Sequence, residues 1–165
     1  MIQIRERDLS ARELCSVIGS AAERGNILVN DRADVAAAGA AGVHLTTRSM
    51  PVEVVRAAFG SQIVIGASTH TRDEVEAAEA GGADFVVFGP VFETASKREY
   101  GAPVGLDALE LVASRSTIPV LALGGVKLSN YKRAIDAGAA GVAGISMFIE
   151  AMDLAALVAE IKAYS

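Results

Sequence analysis

Two apolar runs near the end of the chain finish in small residues that suit phosphate binding. The run at 118–126 carries Gly124 and Gly125, and a second run, one βα unit later, finishes in Ile145 and Ser146. Glycine lets backbone N–H groups come close to a ligand, and strand-to-helix turns with open N–H groups bind anions. Two such turns in adjacent units predict a phosphate site. The alternative is that the glycines only permit tight turns.

This acidic chain offers few cations that could bind a phosphate. Its 15 Lys and Arg residues are outnumbered by 20 Asp and Glu residues, which gives a net charge of −5. Arg5 and Lys97 follow predicted strands and are the natural anion partners. Arg5 could instead pair with Asp31 or Glu6, and Lys97 could be a solvated loop lysine.

Three side chains could move a proton. His70 lies just past a predicted strand and is the strongest candidate for proton transfer, and Glu93 is a further possible base on a loop. His44 ends an apolar strand, where a buried structural histidine is at least as plausible as a catalytic one. The histidines and the single cysteine do not have the spacing of a zinc site.

Polar and small residues recur at the carboxyl ends of the predicted strands, where a parallel barrel gathers them around one pocket. These residues are Gln3, Arg5, Arg7, Asn30, Asp31, His44, Ser68, His70, Thr94, Ser96, Lys97, Gly124, Gly125, Ile145 and Ser146.

Length and composition indicate one α/β domain spanning residues 1–165. The chain is 52% hydrophobic and only 5% aromatic, which is typical of buried parallel strands and Ala-rich helices. The net negative charge argues against a nucleic-acid partner. No run is long and apolar enough for a membrane helix, charged residues interrupt the start of the chain, and Cys15 is the lone cysteine. A cytoplasmic protein without a membrane partner is therefore expected.

Strand and helix patterns alternate along the whole sequence, and Ser10 with Glu13 and Thr71 with Glu74 have the spacing of capping boxes. The predicted strands are 1–5, 27–30, 42–45, 62–67, 84–88, 119–123 and 141–145. The predicted helices are 10–24, 32–38, 50–59, 71–80, 105–114, 129–137 and 153–163. Alternating βα units predict a parallel sheet. A TIM-type barrel is favoured over an open doubly wound sheet, because polar residues follow every strand.

The seven predicted strands fall short of the eight of a closed (β/α)₈ barrel. The chain starts on a strand, so the first βα unit is expected to be missing. An open side would expose apolar surface, which predicts a homodimer.

Seven motifs, in order along nearly the whole chain, resemble the thiamine phosphate synthase superfamily, which includes the TenI-type thiazole tautomerases. The motifs are QIRER at 3–7, VNDR at 29–32, GVHL at 42–45, GASTH at 66–70, GPVFETASK at 89–97, ALGGV at 122–126 and GVAGIS at 141–146. The resemblance implies a (β/α)₈ barrel and a role in thiamine biosynthesis.

In the synthase, an aminopyrimidine diphosphate loses pyrophosphate to give a stabilised cation, which the thiazole nitrogen attacks. The resemblance implies a role for each group of strand-end residues. The pyrimidine diphosphate would be bound by Gln3, Arg5 and Arg7, and the diphosphate and Mg²⁺ would be held by Asn30 and Asp31. The rest of the substrate shell would be Ser68, Thr94, Ser96 and Lys97, and the thiazole phosphate would be bound by Gly125, Ile145 and Ser146.

The chain departs from both branches of the superfamily. A second Mg²⁺-binding Asp is expected soon after residues 42–45, where the sequence reads Thr-Thr-Arg-Ser at 46–49. One carboxylate fewer weakens Mg²⁺ binding. The TenI-type proteins have a catalytic His where this chain has Pro90, so that His70, Glu93 or Glu6 would have to move the proton.

The preferred interpretation is a TenI-like thiazole tautomerase that binds a thiazole phosphate and has no obligatory metal, with His70, Glu93 and Lys97 as catalytic residues. One alternative is a thiamine phosphate synthase that uses pyrimidine diphosphate and places Mg²⁺ at Asp31. The other is a non-catalytic or regulatory protein that binds thiazole phosphate.

Overall fold

Strands and helices alternate along the chain, as the sequence predicts. The computed structural model describes residues 1–23, 25–94 and 102–164. The chain divides into two compact units, which are treated separately below. Unit 1 comprises Met1–Ser68 and Ala77–Asp84, and unit 2 comprises Thr69–Glu76 and Phe85–Ser165.

The strands of unit 1 run parallel and pair in the order in which they occur in the chain. They are β1 (Ile2–Ile4), β2 (Ile27–Asn30), β3 (Gly42–Leu45) and β4 (Val64–Thr69). In the register, Asn30 lies beside His44, and His44 lies beside Gly66. Val29 and Val43 are fully buried, as expected for strands covered on both faces.

Local sequence signals start the helices of unit 1. They are α1 (Ala11–Ala22), α2 (Ala33–Ala36) and α3 (Val52–Phe59), which is followed by a 3₁₀ turn at Gly60–Gln62. The predicted capping box of α1 is formed: Glu13 N–H donates to Ser10 Oγ over 3.4 Å, and Ser10 N–H donates to Glu13 Oε2 over 2.8 Å. Leu14 and Ile18 are the buried face of α1.

The guanidinium of Arg56 ties the end of α3 to the segment at 82–84. It donates to the carbonyls of Gly60, Ile63 and Gly82 over 2.5, 3.1 and 2.9 Å. It also pairs with Asp84 over 2.6 Å, and the same carboxylate oxygen accepts the N–H of Ile65. This hub fixes the loop that leads into β4.

The strands of unit 2 are also parallel and sequential. They are β5 (Phe85–Phe88), β6 (Val120–Leu123) and β7 (Gly141–Ala143). The helices are α4 (Arg72–Ala80), α5 (Gly105–Ala113), α6 (Tyr131–Asp136), α7 (Ser146–Ile149) and α8 (Leu154–Tyr164). Helix α4 has residues in both units. Leu123 lies beside Ala143 in the register, so the turns after β6 and β7 leave neighbouring strands.

The last helix packs against α6 through aromatic and apolar contacts. Tyr131 donates its hydroxyl to Glu160 over 2.7 Å, and Tyr164 donates to Asp136 over 2.9 Å. The Tyr131 and Tyr164 rings meet edge to face, with centroids 6.0 Å apart. The hydrogen bond to Glu160 raises the pKa of Tyr131 to about 12.

The prediction of alternating βα units with parallel strands is confirmed. All seven predicted strands are found within the described residues, with ends shifted by at most two residues. The four-residue helix α7 was not predicted as a separate element, and much of the loop predicted at 90–103 lies outside the described residues. None of the helices in the described part of the chain is long and apolar enough to cross a membrane.

Candidate functional site

A chain of four hydrogen-bonded side chains runs across the carboxyl ends of the unit 1 strands. Gln3 in β1 donates its Nε2–H to Asn30 Oδ1 at the end of β2 over 2.8 Å. His44 in β3 is bonded through Nδ1 to Gln3 Oε1 at 2.7 Å and through Nε2 to Ser68 Oγ in β4 at 2.9 Å. Each of the four strands therefore contributes one member, and the predicted site residues Gln3, Asn30 and Ser68 are brought together.

The chemistry of Gln3 fixes where the His44 proton lies. An amide oxygen can only accept, so the Nδ1 of His44 carries the proton and its Nε2 accepts from the Ser68 hydroxyl. Burial, with a smaller effect from the positive charge of Arg5, lowers the pKa of His44 to about 4. The ring is therefore neutral near pH 7.

Two arginines follow β1 and face solvent. Arg5 and Arg7 are exposed. Across residues 1–23, 25–94 and 102–164, the ion pairs involve other side chains, so the alternative pairing of Arg5 with Asp31 or Glu6 is not formed. Both cations are open to an anion at this edge of unit 1.

Asp31 occupies a left-handed backbone conformation directly after β2. Its φ is 64°, an angle that Asp tolerates better than most residues. Its N–H donates to the carbonyl of His44 over 2.9 Å, which anchors the turn to β3. Asp31 is exposed, and it follows β2 at the same edge of unit 1 as the four hydrogen-bonded side chains.

The loop after β3 has hydroxyls where the resemblance calls for a second metal ligand. Ser49 Oγ accepts the N–H of Thr46 over 2.7 Å and lies 3.0 Å from Thr46 Oγ1. Among the described residues, no group of three or more His, Cys, Asp and Glu side chains could hold a metal ion. The described residues therefore do not form a Mg²⁺ site by themselves.

In unit 2, His70 is held by two contacts. Its backbone N–H donates to Glu74 Oε2 over 2.5 Å, and its Nδ1 hydrogen-bonds the carbonyl of Gly89. A carbonyl can only accept, so Nδ1 carries the proton and Nε2 keeps its lone pair. Nε2 has no hydrogen-bond partner in the described part of the chain, so it can act as a base.

The two residues after β6 must be glycine, because the backbone of the loop after β5 passes so close to them that a side chain would not fit. Gly124 and Gly125 have φ of 91° and 65°. A Cβ on Gly124 would lie 2.5 Å from the Cα of Pro90, and one on Gly125 would overlap the carbonyl oxygens of Phe92 (at 2.7 Å) and Glu93. The N–H of Phe92 donates to the Gly124 carbonyl over 3.0 Å. The loop after β5 therefore packs directly against this turn. This packing is a further reason for the glycines, besides the phosphate binding and the tight turns that the sequence suggested.

The same turn and its neighbour after β7 present open backbone donors. The N–H groups of Gly125, Ile145 and Ser146 have no acceptor among the described residues. Asn130 holds the first turn: its Nδ2 donates to the Gly125 carbonyl over 3.0 Å, and its Oδ1 accepts the N–H of Lys127 over 2.7 Å. Asn130 is the N-cap residue of α6, but its side chain makes no capping bond to that helix and braces the turn instead.

The remaining predicted residues follow β5 in the sequence. Glu93 is exposed and Thr94 is half-buried. Ser96 and Lys97 lie outside the described residues, so the proposed roles of these two stay predictions. His44 was placed among the strand-end residues and weighed as a buried structural histidine or a catalytic one, but it was not given a role in the site; the structure puts it, buried, in the middle of the four hydrogen-bonded side chains of unit 1. Its place in the apolar run Gly42–Leu45 gave no signal that the side chains of Gln3 and Ser68 would both bond its ring.

Comparison with known proteins gives a consistent picture. A family model described as thiamine monophosphate synthase matches residues 1–148. The chain is 49% identical over 154 residues to a putative thiamine-phosphate synthase of Geobacter sulfurreducens, which covers 90% of this chain and 72% of that protein. It is 44% identical over 152 residues to a thiamine-phosphate synthase of Chlorobium phaeovibrioides, with 88% and 73% covered.

A solved structure shares the fold. Thiamine phosphate pyrophosphorylase from Pyrococcus furiosus superposes with a TM-score of 0.85 at 30% sequence identity, over 98% of this chain and 80% of that chain. The match confirms the prediction of a TIM-barrel-type α/β fold.

Proposed function

Since the chain belongs to the thiamine monophosphate synthase family of thiamine biosynthesis, we propose that it joins an aminopyrimidine diphosphate to a thiazole phosphate and releases pyrophosphate. The observation that carries the proposal is the polar edge of unit 1, where four successive strands each contribute one side chain to a single hydrogen-bonded chain. The names of the similar proteins support the same reaction.

Unit 1 supplies the pyrimidine side of the reaction. The amides of Gln3 and Asn30 keep donors for the ring or the diphosphate. Arg5 and Arg7 are exposed cations that stabilise the charge of the diphosphate as it leaves. Lys97 adds a further cation on the strength of the family resemblance.

Unit 2 supplies the phosphate side of the second substrate. The N–H groups of Gly125, Ile145 and Ser146 are available to phosphate oxygens. Backbone donors in turns of this kind bind anions without a charged side chain. This arrangement suits an acidic protein, because few cations are needed.

The chemistry needs little proton transfer. The bond between the methylene carbon and the diphosphate oxygen breaks, and its electron pair leaves with pyrophosphate. The amino group of the pyrimidine stabilises the resulting cation, and the lone pair of the thiazole nitrogen forms the new carbon–nitrogen bond. Mg²⁺ would enter bound to the diphosphate, with Asp31 as the carboxylate that the described chain offers it.

A second candidate function rests on His70. With Nδ1 committed to the Gly89 carbonyl, Nε2 is a base held in one orientation. That arrangement supports the TenI-like tautomerase, in which a proton moves between two positions on the thiazole substrate. Pro90 stands where that branch has its catalytic His, so His70 or Glu93 would take the role.

Calorimetry and product analysis separate the candidates. We expect thiazole phosphate to bind, pyrimidine diphosphate to bind more tightly with Mg²⁺, and the two together to release pyrophosphate. Turnover of a thiazole carboxylate tautomer without pyrimidine would favour the tautomerase instead. Binding of thiazole phosphate without any turnover would favour a regulatory protein.

Two arginine variants test the placement of the diphosphate. Arg5→Ala should weaken pyrimidine diphosphate binding about tenfold, because a charge-assisted contact is lost. Arg12→Ala on the exposed side of α1 removes the same charge and should leave the affinity unchanged. Equal effects of the two variants would mean that only the net charge matters and that the site is placed wrongly.

A further inference from the structure

In unit 2, the backbone of Gly125 is held from both sides. The carbonyl of Gly124, in the peptide before it, accepts the N–H of Phe92 over 3.0 Å. The carbonyl of Gly125 itself, in the peptide after it, accepts the Nδ2–H of Asn130 over 3.0 Å. The two backbone dihedral angles of a residue set the orientation of its two flanking peptide planes, so these bonds together fix the conformation of Gly125.

The first of these bonds also sets the direction of the Gly125 N–H. The peptide between Gly124 and Gly125 is trans, and in a trans peptide the C=O and the N–H point to opposite sides. Because the Gly124 carbonyl faces Phe92, the Gly125 N–H faces away from Phe92. It has no acceptor among the described residues, so it is open to an anion.

Two successive glycines would be mobile without such support. Gly124 and Gly125 both have a positive φ, and glycine loses more conformational freedom on ordering than any other residue. A larger residue cannot supply the rigidity, because a Cβ on Gly125 would lie 2.7 Å from the carbonyl oxygen of Phe92. The rigidity of this turn must therefore come from residues outside it.

Asn130 gives its side-chain amide to this support. Its Oδ1 accepts the N–H of Lys127 over 2.7 Å while its Nδ2 donates to Gly125, so the side chain spans the turn from 125 to 127. An Asn at the start of a helix usually accepts a bond from the first turn of that helix. Asn130 makes no such bond to α6.

We propose that Asn130 is a positioning residue for phosphate binding, which holds the peptide after Gly125 so that the turn is already in its binding conformation before the ligand arrives. This inference rests on the proposed binding of thiazole phosphate by unit 2 and deepens it. A site that is ordered in advance binds more tightly, because less conformational freedom is lost on binding. Asn130 acts through the backbone of Gly125 and is not a catalytic residue.

Two variants of the full chain test the inference. Asn130→Ala removes both bonds, and Asn130→Asp keeps an acceptor for Lys127 but has no donor for the Gly125 carbonyl. In calorimetry, each should weaken the binding of thiazole phosphate about fivefold. In turnover, the KM for thiazole phosphate should rise by the same factor, while kcat and the KM for pyrimidine diphosphate stay unchanged. This split is expected when an interaction supports the ground state and the transition state equally.

Ser129 offers matched controls. It is exposed and precedes Asn130, and its side chain makes no hydrogen bond within the described part of the chain. Ser129→Ala shortens a side chain beside the turn, and Ser129→Asp adds the same charge as Asn130→Asp without removing a bond. Both should bind thiazole phosphate as the wild-type protein does. Urea unfolding of each variant shows how far its fold is affected.

The outcomes are distinct. Unchanged affinity for thiazole phosphate in Asn130→Ala and Asn130→Asp overturns the inference and leaves the proposed function standing. A parallel loss for both substrates together with a lower kcat also overturns it, because Asn130 would then only support the fold. Equal losses in Asn130→Asp and Ser129→Asp without a loss in Asn130→Ala would mean that only charge matters.

The wild-type protein separates this inference from the function on which it rests. If it binds pyrimidine diphosphate but not thiazole phosphate, the thiazole half of the proposed function falls and takes the role of Asn130 with it.

Discussion

At the scale of single residues, Ser49 stands where the family resemblance calls for a metal-binding carboxylate. Its hydroxyl is engaged by Thr46, through the backbone N–H at 2.7 Å and the side-chain oxygen at 3.0 Å. An Asp carboxylate at this position could accept both contacts, so the turn should tolerate the change.

We therefore expect Ser49→Asp to raise the affinity for Mg²⁺ in the presence of pyrimidine diphosphate. A second hard oxygen ligand strengthens binding of an ion that prefers carboxylates and phosphates. Calorimetric titration with Mg²⁺ measures the change, and Ser49→Asn is the neutral control of similar size. No gain in Ser49→Asp would show that the loop does not face the diphosphate, and an equal gain in both variants would show that the added negative charge is not what binds the ion.

The residue scale is also where sequence reasoning stops short. Gln3, Asn30 and Ser68 were predicted as site residues because polar residues at strand ends gather at one edge of a parallel sheet. The role of His44 could not be predicted, because alternation along β3 does not show which side chains of β1 and β4 will reach the ring. The lean towards a tautomerase stays a prediction for a similar reason: His70 was chosen by position, and its contact to Gly89 does not identify a substrate.

At the scale of elements, Arg56 is the residue whose replacement should lower the free energy of unfolding most. Four acceptors converge on one planar guanidinium, and three of them are the backbone carbonyls of Gly60, Ile63 and Gly82. The ammonium of a lysine has three donors on one atom and cannot match this spread.

We expect Arg56→Lys to lower the free energy of unfolding by about 1–2 kcal/mol. Arg72→Lys is the matched control, since Arg72 makes an exposed pair with Glu76 four residues later on α4. Such pairs contribute roughly 0.3–0.5 kcal/mol. Urea unfolding measures both values. If both variants lose the same free energy of unfolding, the contacts of Arg56 make no special contribution to stability.

Elements were predictable where their signals are local. The capping boxes at Ser10 and Thr71 are formed because they need only residues three positions apart. Helix α7 has four residues, which is too short for a periodic pattern to reveal. The Arg56 hub joins residues up to 28 positions apart, so no window of sequence contains it.

At the scale of the whole molecule, the buried His44 links stability to pH. Its pKa is about 4 in the folded protein and 6.5 as a free side chain. Between these values the unfolded chain binds more protons than the folded one, so stability falls as the pH is lowered from 6.5 to 4. At 1.36 kcal/mol per pH unit, the loss is about 3 kcal/mol.

Urea unfolding at pH 7, 5.5 and 4.5 measures this dependence. His44→Phe is less stable at pH 7 but should lose less on acidification, because the titrating ring is gone. A pH dependence identical to that of the wild-type protein would show that carboxylates account for all of it.

Exposed apolar side chains on unit 2 bear on the assembly of the protein. Ile149 and Met152 are 77% and 105% exposed, and Leu154 is 49% exposed. Adjacent exposed apolar residues of this kind often mark an interface. We propose a homodimer, with light scattering expected to give twice the mass of the chain and Ile149→Asp expected to halve it. A wild-type monomer would remove the proposal.

The close contact between Pro90 and Gly124 has a practical consequence for the design of variant libraries of this protein. In a library that randomises positions 89–94, the backbone of this segment still lies against Gly124 and Gly125, where there is no space for a side chain. A library that randomises positions 124–125 alone would mostly yield chains in which the neighbouring loop is displaced. The two segments should therefore be exchanged together, as one cassette, when substrate preference is transferred between relatives.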